Sequence, residues 1–176
     1  MERTLALLVL SFVSPAVVHA AEAGDCRNLL TVDEVASAVG GDAKLTSAGK
    51  RGEVGTGSDE SQRLQVCTWA ADSWRGGVNV DVVPALDASR LARGLEVVAY
   101  PLEELREQHW HEARLDFGGV RCSSLAPPPP VTTEPQVTGC VGEVNGAALY
   151  VGISSRNGRP TFDLAKQLFD EAAARL

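Results

Sequence analysis

The sequence predicts an α+β fold, in which an antiparallel sheet of two hairpins carries helices packed on one face. Three observations indicate this class. Apolar and polar residues alternate over 63–69 and 78–82, as they do in strands. The dipeptide Asn145-Gly146 separates two further apolar stretches, as in a tight hairpin. Segments with helical spacing of apolar residues precede, separate and follow these strand pairs.

The N-terminal segment has the features of a secretory signal peptide. Arg3 precedes an almost uncharged apolar run over residues 4–18, which is too short to cross a bilayer comfortably. The run ends near Ala20, a small residue of the kind that signal peptidase requires. We therefore expect residues 1–20 to be removed, and residues 21–176 to form a single disulfide-bonded domain in the periplasm or outside the cell.

The charge of the chain limits its partners. Its formal net charge is −7, and a surface of this sign repels nucleic-acid phosphates and anionic lipid headgroups. Beyond the N-terminal run, no apolar stretch reaches the length of a membrane span. We expect no nucleic-acid partner, no membrane span and no cofactor. The expected partner is an unknown protein or small-molecule ligand, and the sequence does not indicate the oligomeric state.

The first predicted helix begins with a capping box. Thr31 can accept a hydrogen bond from the backbone of Glu34, whose side chain can reach back to Thr31. The helix should end near Val39, because Gly40 supplies a residue that readily adopts the left-handed conformation. We expect a mobile loop over 49–61, where glycines are dense.

The middle of the chain predicts an antiparallel strand pair followed by two helices. A short connection over 72–77 favours antiparallel pairing, and Pro84 should end the second strand. Asp87 can cap one helix, and Pro101 suits the first turn of another. Gly94 weakens the case for a single continuous helix.

The C-terminal part predicts strands and a closing helix. A strand is expected within 118–126, and the prolines over 127–130 should form a stiff extended loop. The second hairpin should join residues 140–144 to 147–154. Apolar residues then recur at helical spacing over 162–176, which predicts a helix lying on the sheet.

Four cysteines allow three disulfide pairings, and the sequence does not decide among them. We favour Cys26–Cys67, which would tie the opening helix to the sheet, and Cys122–Cys140, which would close the proline loop. Thiolate metal binding is the competing interpretation. It is disfavoured because no C-x-x-C pair is present and an oxidising compartment promotes disulfides.

The first half of the chain resembles a group of exported bacterial domains of unknown function. Cys26 opens the segment C-R-N-L-L-T-V-D-E-V, and Cys67 opens C-T-W. Those domains begin with Cys, then L-L-T-x-x-E-V, and later show C-x-W or C-x-Y. The resemblance covers about residues 26–70, and the closing helix loosely. It implies a bacterial cell-envelope setting and a disulfide between the first two cysteines. Many such proteins look like lipoproteins, but Ala23 and Asp25 here depart from a lipidation signal.

Two groups of residues are candidate sites. His109, His111 and Glu112 form a cluster of potential metal ligands, in which His109 and His111 would share a face if the segment is extended. No H-E-x-x-H array is present, so the favoured interpretation is that these histidines are ordinary surface residues. Trp74 and Arg75, in the predicted 72–77 turn, suit contact with a partner.

The sequence therefore favours a secreted or periplasmic, non-catalytic binding domain. Its expected contact surface is the exposed sheet face together with the 72–77 turn. A small metal-assisted hydrolase that uses the histidine cluster is the alternative function.

Overall fold

The computed structural model describes residues 26–39, 41–53, 63–71, 76–84, 88–107, 111–127, 136–155 and 161–176. A short 3-10 helix, Cys26–Asn28, precedes the helices α1 Val32–Val39, α2 Ala88–Glu107 and α3 Phe162–Ala173. The strands are β1 Ala43–Glu53, β2 Arg63–Ala71, β3 Gly76–Pro84, β4 His111–Asp116, β5 Arg121–Ala126, β6 Gln136–Val144 and β7 Ala147–Ser155.

The strands form one antiparallel sheet in the order β1-β2-β3-β7-β6-β5-β4. Two meanders, β1–β3 and β4–β7, are joined where β3 pairs with β7, from Gly76 opposite Ser155 to Pro84 opposite Ala147. The mixed class predicted from sequence is confirmed. The prediction of two hairpins underestimated the number of strands, because the described residues contain seven.

The two strands that the sequence did not reveal are the edge strands. β1 extends through Glu53, so the prediction of a loop from residue 49 was wrong for residues 49–53; residues 54–61 lie outside the described part of the chain. β1 contains no β-branched residue except Thr46, and pairing with β2 decides its conformation. β4 is likewise rich in charge and pairs with β5.

Helices cover both faces of the sheet, not one as predicted. Along β7, Leu149 and Val151 belong to a core with α1 and α3, whereas Ala148 and Tyr150 belong to a second core with α2. β7 is buried continuously over residues 147–153. A strand that is buried on both faces needs such an unbroken apolar sequence.

Helix α2 is continuous over 20 residues, so the prediction of two helices was wrong. Gly94 lies at the closest approach of α2 to the sheet. A Cβ at Gly94 would lie 3.1 Å from Val83 Cγ1 and 3.2 Å from Ala148 Cβ. The glycine therefore permits close packing and does not mark a break. Asp87, the predicted cap, lies outside the described residues.

Two local predictions are confirmed at atomic detail. The Thr31 backbone N–H donates to Glu34 Oε2 at 2.7 Å, and the Glu34 N–H donates to Thr31 Oγ1 at 3.2 Å, as in a capping box. Asn145 and Gly146 have φ of 48° and 78°, as a type I′ turn requires, and they join β6 to β7.

Both favoured disulfides are present. Cys26–Cys67 ties the 3-10 helix to β2, with 5.8 Å between the Cα atoms. Cys122–Cys140 links residues that lie directly opposite each other on β5 and β6. All four cysteines are buried.

An ion pair joins the two ends of the described chain on the α1–α3 face. Arg175 donates to Glu34 Oε2 at 2.7 Å and to the Leu29 carbonyl at 2.9 Å. The hydrogen bond from Arg175 is the main reason that the pKa of Glu34 falls to about 2; burial opposes this shift. Glu34 thus caps α1 and also holds the end of α3.

Tyr150 lies over a pair of glycines in the α2-facing core. Gly139 and Gly152 are directly opposite each other on β6 and β7. A Cβ at Gly139 would lie 2.8 Å from the Tyr150 hydroxyl, and one at Gly152 would lie 2.5 Å from Tyr150 Cζ. The absence of side chains at these positions lets the ring lie flat along the strands. Burial, and then the charge of Asp81, raises the pKa of Tyr150.

We predict that Gly152→Ala lowers the free energy of unfolding by about 1–3 kcal/mol, because the added methyl group overlaps the Tyr150 ring. Urea denaturation measures this change. Gly41→Ala is the control, since a Cβ there meets nothing within 4 Å, and it should change stability by less than about 0.5 kcal/mol. Equal stabilities for the two variants would contradict the packing described for Tyr150.

We predict that Glu34→Gln lowers the free energy of unfolding at pH 7 by about 1 kcal/mol, a value limited by the partial exposure of the ion pair. The pKa of Glu34 is lowered on folding from 4.5 to about 2, so its contribution is complete above pH 4.5 and is lost as the pH falls towards 2. The difference between the two proteins should shrink over that interval in urea titrations.

Glu171→Gln is the matched control for this ion pair. Glu171 lies 3.6 Å from Arg175, with 43% of its side chain exposed. We expect its loss to cost less than about 0.5 kcal/mol. A pH-independent difference between the wild type and Glu34→Gln would contradict the lowered pKa.

Candidate functional site

A cleft of about 400 Å³ lies between the second half of α2 and the strands β4 and β5. Its apolar lining includes Leu115 at the surface and Ala99, Leu102 and Val141, and the last three also belong to the core between α2 and the sheet. Ser123, which is buried, adds a hydroxyl group. The cleft therefore opens directly onto the packed core of the α2 face.

Charged side chains surround this apolar part. Arg106 and Glu103 come from α2, Arg114 and Asp116 from β4, and Arg121 from β5. Side chains of a strand alternate between its faces, which places Glu112, Arg114 and Asp116 on the α2 side of β4. The strand pairing then sets Arg114 opposite Ser123, and Asp116 opposite Arg121.

Glu112 is held between two arginines. Arg106 binds both of its carboxylate oxygens, with Nε–Oε2 of 2.8 Å and Nη2–Oε1 of 2.6 Å. Arg114 donates to Oε2 from the other side at 2.7 Å. Arg106 also binds Glu103. Only 14% of the Glu112 side chain is exposed, against 29% of Arg106 and 63% of Arg114, so the carboxylate is mostly shielded from water while Arg114 reaches the surface.

This network fixes the charge of Glu112. Hydrogen bonds from Arg114, then Arg106 and Ser123, lower the pKa of Glu112 to about 2, although burial opposes the shift. The same interaction raises the pKa of Arg106. Glu112 is therefore a carboxylate at neutral pH, and its role is to fix two guanidinium groups in place.

Two arginines of the cleft keep hydrogen-bond donors available. Within the described residues, Arg114 makes the one bond to Glu112, and 63% of its side chain is exposed. Arg121 is exposed, and its side chain makes no hydrogen bond or ion pair with the described part of the chain. Asp116 accepts from the Gly119 N–H at 3.1 Å, in the turn between β4 and β5.

The predicted metal cluster is only partly described. His111 begins β4, opposite Ala126, while His109 lies outside the described residues. Glu112 contributes its carboxylate to the arginines, so a cation would have to displace two guanidinium groups. Within the described part of the chain, no group of three His, Cys, Asp or Glu could hold a metal ion. The cluster as a whole stays a prediction.

The predicted contact residues Trp74 and Arg75 also lie outside the described residues, and their role stays a prediction.

Sequence reasoning did not identify the arginines of the cleft. For Arg114 the available signal was the alternation of charges over 112–116, which indicates one polar strand face. None of the helices within the described ranges is long and apolar enough to cross a membrane.

Comparison with known proteins identifies no family. No protein-family model matches the chain, and no curated protein matches it. Among solved structures, the chain is similar to the solution structure of cyanobacterial PsbP (CyanoP) from Synechocystis sp. PCC 6803, with 14% sequence identity and a TM-score of 0.34. The similarity covers 72% of this chain and 95% of that chain. A TM-score this low does not establish a common fold.

We predict that Arg106→Leu lowers the free energy of unfolding by about 1–3 kcal/mol, because it leaves the mostly buried Glu112 carboxylate with one arginine partner in place of two. The double variant Arg106→Leu/Glu112→Leu removes both charges and should regain most of this loss. Urea unfolding of the wild type, both single variants and the double variant measures the coupling. Strictly additive losses would contradict the described ion pair.

Proposed function

We propose that this chain is a non-catalytic binding domain that acts outside the cytoplasm, and that it binds its ligand in the cleft between α2 and the strands β4 and β5. The exported setting, the binding role and the position of the site have separate support.

Two buried disulfides support the exported setting. Bonds of this kind form and persist in oxidising compartments, and they are rare in the cytosol. The apolar leader over residues 1–20 and the resemblance to exported bacterial domains agree with a periplasmic or secreted protein. The bacterial cell envelope is therefore the proposed location.

The cleft is the observation that carries the binding role. Ligand sites are typically concave, with volumes of roughly 300–1,000 Å³, mostly apolar walls and a few convergent polar groups. The cleft holds about 400 Å³, and its apolar residues Ala99, Leu102 and Val141 lie beside two arginines whose donors are mostly unused by the described residues. A small molecule with one polar end fits this arrangement.

The state of the ionisable groups favours binding over catalysis. A general acid or base must exchange a proton near neutral pH. Glu112 has a pKa of about 2 and is hydrogen-bonded to Arg106 and Arg114, so it is unsuited to that role. The metal-assisted hydrolase would need His109 and His111 to bind a cation without this carboxylate. Trp74 and Arg75 remain proposed contacts for a protein partner.

A ligand-mapping experiment tests the proposed site. Purified, oxidised, ¹⁵N-labelled protein is titrated with a mixture of small carboxylates, amines and alcohols that have short alkyl bodies. We expect the backbone signals of Leu102, Ser123 and Val141 to shift, while those of Lys44 and Leu45 on the far edge strand stay unchanged.

Two alanine variants sharpen this experiment. Ala99→Leu fills the cleft and should abolish the shifts. Ala113→Leu is its matched control, because Ala113 is exposed and lies on the opposite face of β4, so the shifts should persist. Shifts that survive Ala99→Leu, or that fall only outside the cleft, would sink the proposed site.

A further inference from the structure

The cleft contains more positive hydrogen-bond donors than its own carboxylates use. Glu112 and Glu103 both bind Arg106, whose donors face these two groups. Within the described residues, the Arg114 side chain gives one bond to Glu112, and the Arg121 side chain gives none. A guanidinium group presents five N–H donors, so most of the donors on Arg114 and Arg121 are available to a ligand.

Strand pairing brings these two arginines to one place. Arg114 lies opposite Ser123, and Arg121 lies opposite Asp116, so the arginines are diagonal neighbours on the same face. Diagonal neighbours on paired strands lie roughly 7–8 Å apart, a distance that long side chains span. Both arginines line the same cleft. A single small anion can therefore contact both guanidinium groups.

The hydrogen bond to Glu112 helps to position this pair. Arg114 Nη2 is fixed on Glu112 Oε2, which is in turn fixed by Arg106 of α2. Arg114 therefore gives up less side-chain freedom when it binds an anion than a fully mobile surface arginine would. Helix α2, through Arg106 and Glu112, thus helps to orient Arg114 of β4.

The surroundings limit the charge of the anion. The chain as a whole carries −7, and Glu103 and Asp116 line the cleft. These charges disfavour a ligand with several negative charges, such as a nucleotide. A planar carboxylate with a single charge matches the fork of an arginine, and the nearby side chains of Ala99, Leu102 and Val141 suit an apolar body.

We infer that the ligand is a small organic carboxylate, with its carboxylate bound by Arg114 and Arg121 and its apolar body against Ala99, Leu102 and Val141. This inference rests on the proposed function, because it concerns the same cleft. Asp116, opposite Arg121, opposes the binding of such an anion and sets its affinity below that of an all-basic site.

A titration with three probes of equal length tests this assignment. Hexanoate, hexanamide and hexylammonium share an apolar body and differ in charge. We expect hexanoate to shift the backbone signals of Ser123 and Val141, and to bind about 10-fold more tightly than hexanamide, as one charge-assisted hydrogen bond provides. Hexylammonium should bind more weakly than hexanamide.

Variants of the charged residues locate the carboxylate. Arg121→Gln should weaken hexanoate about 10-fold and leave hexanamide unchanged. Lys44→Gln, on the opposite edge of the sheet, changes net charge equally and should leave both affinities unchanged. Asp116→Asn should tighten hexanoate about 2-fold, since it removes a repulsive charge. Arg114 is a poorer target, because it also holds Glu112.

Each outcome separates the inference from the proposed function. Equal affinities for hexanoate and hexanamide, or tighter binding of hexylammonium, would overturn the carboxylate assignment while the cleft remained a binding site. An Arg121→Gln variant with unchanged hexanoate affinity would do the same, as would an Asp116→Asn variant that does not tighten it. If no probe and no compound of the earlier mixture shifts the signals of the cleft, both proposals fail.

Discussion

Strands β3 and β7 pair over the full length from Gly76 to Pro84, and through this contact two separate meanders become one sheet. Helix α2 connects these meanders and crosses the junction. Gly94 of α2 packs on Val83 and Ala148, which are themselves paired across β3 and β7. The close contact at Gly94 lets α2 lie on this junction, and its second half reaches β5 and, through the Arg106 side chain, the edge strand β4. The cleft and its ion pairs follow from this crossing.

Signals contained within a few residues could be read from the sequence. The capping box at Thr31 and the turn at Asn145-Gly146 are local, since their hydrogen bonds and dihedral angles depend on adjacent residues. The edge strands β1 and β4 could not be read in this way. Their conformation comes from pairing with β2 and β5, and their charged sequences resemble loops. The unbroken apolar sequence of β7, in contrast, indicates a strand that is buried on both faces of the sheet.

The candidate site shows the same division between local and distant information. In the sequence, Glu112 is a candidate metal ligand because two histidines lie close to it, and such spacing suggests metal binding. The structure gives it Arg106 as a partner, which belongs to a different element and reaches it only because α2 crosses the sheet. Arg121 comes close to Arg114 through strand pairing. Neither relation is visible without the sheet order, although the alternating charges of 112–116 indicated a polar face.

One wall of the cleft is an edge strand. β4 is hydrogen-bonded to β5 on one side, and its other row of backbone groups faces away from the sheet. A strand held along one side separates from its neighbour at a lower free-energy cost than an interior strand, and such local opening does not require the whole domain to unfold. For the proposed ligand site, transient fraying of this wall provides a route of entry and release, while the disulfide between β5 and β6 keeps the floor closed.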